Sequence, residues 1–152
     1  ALVWGYWSEA AHTIYITGEY VKTGMLNDEI AARIIELGLS KEVITADCAE
    51  QKSIAEIKRA GVYRIRPSRK GPDSVVHGIQ WINQQRIVID ERCTHTLEET
   101  ENYTWKKERK TGEYINEPED AYNHCLDAVR YGLHGVAGMD KLRTINKALL
   151  GL

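Results

Sequence analysis

Asp47, His124 and Asp127 are the residues of this chain whose types and spacing suit metal chemistry. His124 and Asp127 lie in a segment with helical periodicity, and Asp120 precedes them in the same segment. Each helical residue advances about 100° around the axis, so positions i, i+4 and i+7 share one narrow arc. Asp120, His124 and Asp127 can therefore face a common point. The adjacent face is small or apolar and suits packing against a sheet: Ala121, Cys125, Ala128, Val129 and Gly132.

Asp47 follows a short apolar run, residues 43–46, which is typical of a buried strand. Ligand-binding groups of open α/β sheets gather at the carboxyl ends of their strands. One acid at a strand end and another on a late helix is an arrangement with which nucleases bind two divalent ions, about 4 Å apart. Carboxylates suit Mg²⁺, and an added imidazole makes Mn²⁺ equally suitable. Asp47, His124 and Asp127 are therefore candidate catalytic and metal-binding residues.

Each acid also has a purely structural interpretation, which the residues alone leave open. Asp120 suits the N-cap of a helix, and Asp127 is spaced to pair with Arg130. Asp47 and Glu50 match a capping box at the start of the next helix.

Basic residues form two local clusters, although the formal net charge of the chain is −2. Such clusters suit the phosphates of a nucleic acid backbone, which are contacted without reading of the base sequence. A charged hairpin is also compatible with a simple solvated surface. The first cluster is a loop containing Arg64, Arg66, Arg69 and Lys70, and the second lies on one arm of a predicted hairpin and contains Lys106, Lys107, Arg109 and Lys110.

The elements that must position these residues follow from hydrophobic periodicity and from glycine stops. Two opening strands are followed by alternating helices and strands, which predicts an α/β fold with a mixed sheet flanked by helices. A charged hairpin, residues 103–115, turns at Thr111 and Gly112, and Val75, Val76, Ile79 and Ile82 are expected to face inward. The predicted strands are 2–7, 12–21, 43–46, 62–65 and 86–89, and the predicted helices are 27–37, 50–59, 71–83, 94–103, 120–133 and a tail at 139–150.

The 152 residues, of which 43% are hydrophobic, suffice for one compact core and are too few for two ordinary domains. Three scattered cysteines form no Cys-x-x-Cys pair, so neither a disulfide framework nor a zinc knuckle is expected. No apolar run approaches the roughly 18 residues of a membrane span. Because the chain opens at Ala1 inside a strand-like run, we expect it to be a piece of a longer protein.

The segment Ala-Asp-Cys-Ala-Glu-Gln-Lys-Ser-Ile, residues 46–54, resembles the second acidic motif of the nuclease domain of tailed-phage large terminases. Further segments agree with that family in order and spacing: 70–74, 90–93, 102–105, 116–118 and 123–131. The resemblance covers residues 2–133. It implies a ribonuclease H-like fold in a single nuclease domain, residues 1–152, with the charged hairpin close to the active site.

The same resemblance implies an endonuclease that cuts concatemeric double-stranded viral DNA by two-metal-ion hydrolysis, with Mn²⁺ or Mg²⁺ and little sequence specificity. Asp47 and Asp127 would be metal ligands, and His124 would bind or assist at the second metal. The basic loop and the hairpin would contact DNA, and Glu50, Lys52 and Asp120 are further candidates. The setting would be the cytoplasm of an infected bacterium, with a motor ATPase domain, a portal protein and a small terminase subunit as partners. The ATPase phosphate loop, Gly-x-x-x-x-Gly-Lys-Ser/Thr, does not occur in this chain.

The chain departs from the family pattern at its start. The family carries its first catalytic aspartate on an opening strand, and the residues that follow that strand resemble Ala1-Leu2-Val3. Gly5 and Tyr6 are not this motif, because Val3 stands where the acid is required. We therefore expect the opening strand and its aspartate to lie upstream of residue 1.

Two other functions remain compatible with the residues. One is a different ribonuclease H-like nuclease, such as a junction resolvase, a transposase-like nuclease or an RNA-cleaving enzyme, although the long hairpin argues against it. The other is a non-catalytic docking module of the packaging motor, in which the acids serve as caps and salt bridges.

Overall fold

The computed structural model describes residues 1–69, 71 and 74–134 of the chain. Lys70 and the tail predicted at 139–150 lie outside the described residues. Within the described part, two opening strands are followed by alternating helices and strands, and a two-stranded hairpin precedes the last helix. The strands are β1 (Leu2–Ser8), β2 (Thr13–Tyr20), β3 (Ile44–Ala46), β4 (Ile65–Pro67), β5 (Arg86–Ile89), β6 (Trp105–Lys107) and β7 (Tyr114–Pro118), and the helices are α1 (Asn27–Glu36), α2 (Gln51–Arg59), α3 (Ser74–Ile82), α4 (Thr94–Asn102) and α5 (His124–Leu133).

The first sheet has the order β1-β2-β5, in which β1 is antiparallel and β5 parallel to β2. β-Branched and aromatic residues dominate both opening strands, as the pleated, half-buried surface of a sheet favours. The register shifts between Trp4 and Gly5, where β1 has an irregularity. One face of this sheet forms the first core, around Ile14, Ile16, Trp81, Cys93 and Leu133.

The second sheet pairs β3 with β4 in parallel; α2 packs against β4, and α1 packs against α2. Its core is a separate cluster of Ala31, Ile34, Ile54, Ile57, Val62 and Ile65. Gly38 has a positive φ of 75°, which lets the chain leave α1 as its C-terminal stop predicts. The third sheet is the antiparallel hairpin of β6 and β7, and Gly112 adopts a positive φ of 72° in its turn.

A groove of about 440 Å³ separates the first sheet from the second. It is bordered by β1 on one side and by Ile44 and Thr45 of β3 on the other, and α5 contributes Ala128 and Gly132 to its lining. Within residues 1–69, 71 and 74–134, no strand pairs with the outer edge of β1 or with the second edge of β3. The groove is therefore lined by two strand edges with backbone groups that can accept a further strand.

The predicted mixed α/β class is confirmed, whereas three predicted details are wrong. The strand predicted at 62–65 is shifted along the chain, because β4 begins only at Ile65 and ends at Pro67. Val62 follows Gly61 (φ 114°) and is buried in the second core without pairing to a strand. α3 buries Gly78 and Trp81, whereas Val75, which was expected to face inward, is 36% exposed.

The third correction concerns the helix predicted at 120–133, which begins at His124. Tyr122 has a positive φ of 52°, which lies outside the helical region and ends any helical path from Asp120. Asp120 therefore does not share a helical arc with His124 and Asp127, and Asn123 rather than Asp120 is the N-cap residue. In the described part of the chain, no helix has the length and apolarity required to cross a membrane.

Candidate functional site

Asp47 directly follows β3 and is partly buried. Its Oδ1 atom accepts a hydrogen bond from the backbone N–H of Ala49 at 3.0 Å, which closes a tight turn after the strand. The N-cap residue of α2 is Glu50, and it makes no side-chain capping bond. The capping-box interpretation of Asp47 and Glu50 is therefore wrong. Glu50 instead accepts a hydrogen bond from the hydroxyl of Ser53 at 3.3 Å.

The end of β4 is fastened to the Asp47 turn by Ser68, which is 5% exposed. The backbone N–H of Ser68 donates to the carbonyl of Ala46 at 2.7 Å, and its hydroxyl accepts from the N–H of Cys48 at 3.2 Å. Arg66 lies opposite Thr45 in the register, and Arg69 follows Ser68. Two arginines of the predicted basic loop are thus placed next to the strand end that carries Asp47, and both are exposed.

Asp127 lies in the first turn of α5 and forms the ion pair with Arg130 that its spacing suggested. Its Oδ1 atom accepts from Nη2 of Arg130 at 2.8 Å and from Nε at 3.2 Å. The Arg130 side chain is 6% exposed and that of Asp127 is 31% exposed. Both hydrogen bonds end on the same oxygen, so Oδ2 takes no part in this pair. A buried guanidinium thus fixes the orientation of a carboxylate that still has one oxygen outside the pair.

Asp127 is one of the residues that line a second groove, of about 510 Å³. It is lined by the start of α3, the base of the β6–β7 hairpin and the segment leading into α5. Burial raises the pKa of Tyr103, and the nearby charge of Asp127 adds to that rise. Lys106 forms an ion pair with Glu117, and this hydrogen bond raises the pKa of Lys106. The groove is therefore rich in oxygen atoms that can bind a cation. The charge of its lysine, Lys106, is balanced by Glu117.

His124 is the first residue of α5 and is exposed. It lies three positions before Asp127, so both face nearby sectors of the helix. α5 packs against β1 and β3, and its Ala128 lines the groove together with Thr45. Along the sequence, Asp47 lies two residues after Thr45 and Asp127 directly precedes Ala128, so each acid is close in the chain to a residue that lines the groove between the sheets.

Two carboxylates and one imidazole are donors that suit Mn²⁺ or Mg²⁺. Among residues 1–69, 71 and 74–134, however, no group of three or more His, Cys, Asp or Glu residues is close enough to hold a metal ion. The donor types fit a divalent cation, whereas the described donors do not form a complete centre. Asp120 lies before α5 and accepts a hydrogen bond from the side chain of Asn123 at 3.1 Å.

The basic residues of the hairpin differ in their surroundings. The ammonium group of Lys107 lies 4.7 Å from the ring centre of Tyr114, whereas Arg109 and Lys110 are exposed near the turn. Lys52 is exposed on α2. Within the hairpin, the basic side chains that remain open to a polyanion therefore lie at its tip.

Two residues that the sequence did not single out also shape the site. Ser68 fastens the Asp47 turn, and Glu99 is a glutamate of α4 that is only 8% exposed. Nothing in the spacing of α4 separates Glu99 from the exposed Glu98 or Glu101. Only the approach of α5, which is distant in sequence, makes Glu99 a buried acceptor.

Residues 9–134 match the family model described as the terminase RNase H-like domain. The chain is 42% identical over 91 residues to the large subunit of the terminase of Bacillus phage SPP1, covering 58% of this chain and 21% of that relative. It is 30% identical over 137 residues to the PBSX phage terminase large subunit of Bacillus subtilis strain 168, covering 90% and 31% respectively. The chain thus spans less than a third of the length of either relative.

Among solved structures, the chain is similar to the large terminase nuclease domain of bacteriophage SPP1, which was crystallised with bound Mn. The TM-score is 0.80 at 33% sequence identity, and the match covers 86% of this chain and 75% of the other. The ribonuclease H-like fold expected from the sequence is confirmed by this similarity.

Proposed function

The chain belongs to the terminase RNase H-like domain family, and from that membership we propose that it is the metal-dependent nuclease domain of a phage large terminase subunit. Its reaction is the cutting of concatemeric double-stranded DNA by hydrolysis of phosphodiester bonds, with little sequence specificity. The observation that carries this proposal is the match of residues 9–134 to the terminase RNase H-like domain family. It is supported by the position of two acids close in sequence to residues that line the groove between the sheets, since Asp47 lies two residues after Thr45 and Asp127 directly precedes Ala128.

In this proposal Asp47 and Asp127 hold two divalent cations, Mn²⁺ or Mg²⁺, and His124 binds or assists at the second. The chemistry that such ions supply is activation of a water nucleophile and stabilisation of the negative charge on phosphate and leaving oxygens. Arg130 orients the Asp127 carboxylate through Oδ1 and leaves Oδ2 for the cation. The similarity to an Mn-bound nuclease domain supports this assignment.

Basic side chains on two sides of the site hold the DNA backbone. Arg66 in β4 and Arg69 after it lie near the strand end that carries Asp47, and Lys70 follows them in the sequence. The hairpin supplies Lys106, Lys107, Arg109 and Lys110. These residues bind phosphates rather than base edges, so contact positions the duplex without selecting a sequence. Because Lys106 is paired with Glu117, we expect Arg109 and Lys110 to contribute more than Lys106.

We further propose that an extended segment preceding Ala1 fills the groove between β1 and β3. Both bordering strands present an unpaired edge within the described residues. A strand between them would run past the ends of β3 and α5, where it can add a third carboxylate to Asp47 and Asp127. This segment would supply the first catalytic aspartate that the family resemblance implies. It would also complete a donor set that the described residues leave incomplete.

In the assembled packaging motor, the partners of this domain are the ATPase domain, the portal protein and the small terminase subunit. The reaction takes place in the cytoplasm of the infected bacterium, where the concatemeric DNA is packaged.

Plasmid nicking in the presence of Mn²⁺ tests the proposal, with a polypeptide that begins upstream of Ala1 in the reading frame. Removing a residue that contacts a metal ligand without binding the metal lowers metal affinity or activity by about 10- to 100-fold, so removing a direct ligand should lower them at least as much. We therefore expect Asp47→Asn and Asp127→Asn each to lower the nicking rate by about 100-fold or more. Asp28→Asn, which changes an exposed acid of α1, is the matched control and leaves the rate unchanged.

Three results would contradict parts of this scheme. Normal nicking by Asp47→Asn would show that Asp47 is not a metal ligand. Equal activity of the 152-residue chain and the longer polypeptide refutes the role of the preceding segment. If the longer polypeptide cleaves no DNA with either Mn²⁺ or Mg²⁺, the enzyme assignment fails and the docking module becomes the better description. A crystal soaked in Mn²⁺ provides a direct check, because anomalous density is expected between Asp47 and Asp127.

A further inference from the structure

We propose that Glu99 is a positioning residue, whose buried carboxylate holds the first turn of α5 and thereby sets the location of His124 and Asp127. The inference rests on the proposed function, because it assigns a purpose to the fixed position of those two residues. It concerns a residue that lies on a different helix and is not a candidate metal ligand.

α5 has no capping bond from its own N-cap side chain. The first N–H groups of a helix have no partner within the helix and need an acceptor from elsewhere. Asn123 occupies the N-cap position, but its side chain makes no capping bond and donates to Oδ1 of Asp120 at 3.1 Å. The preceding residue, Tyr122, has a φ of 52°. The chain therefore enters α5 through an unfavourable backbone conformation and without a local cap.

Glu99 supplies the missing acceptor from α4. Its Oε2 atom accepts hydrogen bonds from the backbone N–H groups of Cys125, at 2.7 Å, and Leu126, at 3.0 Å. Cys125 is fully buried and Glu99 is 8% exposed, so water cannot readily replace these bonds. A negative charge at this end of a helix also interacts favourably with the helix dipole.

The two bonds hold the part of α5 that carries the candidate ligands. Cys125 and Leu126 lie between His124 and Asp127 in the chain. If the first turn frays, both ligands lose their fixed backbone positions. The ion pair of Asp127 with Arg130 is internal to α5, so it cannot by itself orient the helix relative to Asp47, which follows β3.

Glu99 is itself held in place by a second carboxylate. α4 also lacks a capping bond from its own N-cap residue, which is Cys93. Glu19, near the end of β2, accepts the N–H groups of His95 and Thr96, each at 2.8 Å, and the Thr96 hydroxyl at 2.7 Å. Two glutamates thus connect the first sheet to α4 and α4 to α5. The location of the candidate ligands is fixed relative to the sheet by this series of contacts.

The test compares Glu99→Ala and Glu99→Gln in the polypeptide used for the nicking assay. Glu101→Ala, which changes an exposed glutamate of the same helix, is the matched control. Loss of a helix cap corresponds to about a 2- to 30-fold change in the equilibrium between the closed and the frayed first turn of the helix. We expect Glu99→Ala to accelerate hydrogen exchange at the Cys125 and Leu126 amides by a factor in that range. The amide of Arg130, later in α5, keeps its rate.

Metal binding provides the readout that a purely structural role would not change. In electron paramagnetic resonance titrations, Glu99→Ala is expected to weaken Mn²⁺ binding by about 10-fold or more, as removal of an outer-shell partner does. Saturating Mn²⁺ should restore much of the nicking rate. Glu99→Gln keeps a carbonyl oxygen that can accept both bonds, and we expect it to bind Mn²⁺ within about threefold of the unchanged protein.

Unchanged exchange at Cys125 and Leu126 in Glu99→Ala would overturn the inference, as would wild-type Mn²⁺ affinity in the same variant. If Glu99→Ala does not fold, a Glu99→Gln protein with weakened Mn²⁺ binding and unchanged exchange contradicts the proposed mechanism. The proposed function fails separately, when the unchanged protein itself neither binds Mn²⁺ nor nicks DNA. Hydrogen exchange needs no metal, so it still decides whether Glu99 holds α5.

Discussion

Replacement of Gly5 by alanine tests how closely β1 and β2 approach each other beside the groove. Gly5 lies where the register between the two strands shifts. A Cβ atom added there would be 1.9 Å from the carbonyl oxygen of Tyr15 and 3.1 Å from the Cα atom of Ile16. Both neighbours are backbone atoms of β2, so no side-chain rotation can relieve the overlap.

The cost follows from how far the strands must separate. An ordinary contact between a carbon and an oxygen atom requires more than 3 Å, so β1 must move by about 1 Å and weaken several hydrogen bonds to β2. Overpacking of this kind costs about 1–3 kcal/mol, and a clash with backbone belongs at the upper end of that range. For a chain of about 150 residues, each kcal/mol lowers the melting temperature by about 2–4 °C. We therefore expect Gly5→Ala to lower Tm by about 6–12 °C.

Thermal unfolding followed by circular dichroism measures this change, and Gly132→Ala is the matched control. Gly132 lies in α5, and an added Cβ there meets no atom within 4 Å. Because alanine is favoured over glycine in a helix by about 0.5–1 kcal/mol, Gly132→Ala should raise Tm slightly. A Tm of Gly5→Ala within about 1 °C of the unchanged protein would refute the close approach of the two strands.

Two further predictions concern buried groups. Burial acts to raise the pKa of Glu19, yet the hydrogen bonds from Thr96 and His95 bring it below its ordinary value. Its carboxylate therefore stabilises the fold at neutral pH, and this contribution is lost as the pH falls below the ordinary glutamate pKa of about 4.3 and through the lowered value. In urea unfolding, Glu19→Gln should be most destabilised relative to the unchanged protein near pH 7, and a pH-independent difference would argue against this origin. Burial raises the pKa of the Cys125 thiol to about 11, so little reactive thiolate is present at neutral pH. Mass spectrometry after brief iodoacetamide treatment at neutral pH should therefore find the partly exposed Cys48 labelled and Cys125 unlabelled. Labelling of Cys125 before Cys48 would contradict the buried position of Cys125.

The sequence predicted well those elements whose limits are set by neighbouring residues. α1 ends before Gly38 because only a residue tolerant of positive φ continues the chain there. β5 occupies the predicted residues, since its short apolar run is bounded on both sides by polar residues. The resemblance to the terminase family and the ribonuclease H-like fold are confirmed by the family match and by the structural similarity. The roles of Asp47, His124 and Asp127 as metal ligands remain predictions.

The start of α5 could not be predicted because its decisive contact is distant in the chain. Local signals favoured a helix from Asp120, an acid followed by periodic apolar residues. The structure begins the helix at His124 and caps it with Glu99, 26 residues before Cys125. The Asp47 turn is similar, because it depends on Ser68, which follows the neighbouring strand β4. In both cases packing between elements determined the backbone conformation, and such packing cannot be predicted from the residue spacing within one segment.

The two strand edges that border the groove also determine how the chain behaves at high concentration. A row of unpaired N–H and C=O groups is a template on which another polypeptide can add a strand, and natural proteins usually protect such edges. A second copy of the chain competes for the same backbone groups as the segment that we propose to precede Ala1. Self-association through β1 or β3 should therefore increase with concentration when that segment is missing and decrease when it is present. The isolated domain would then aggregate through the same two strand edges that bind the preceding segment when the metal centre is complete.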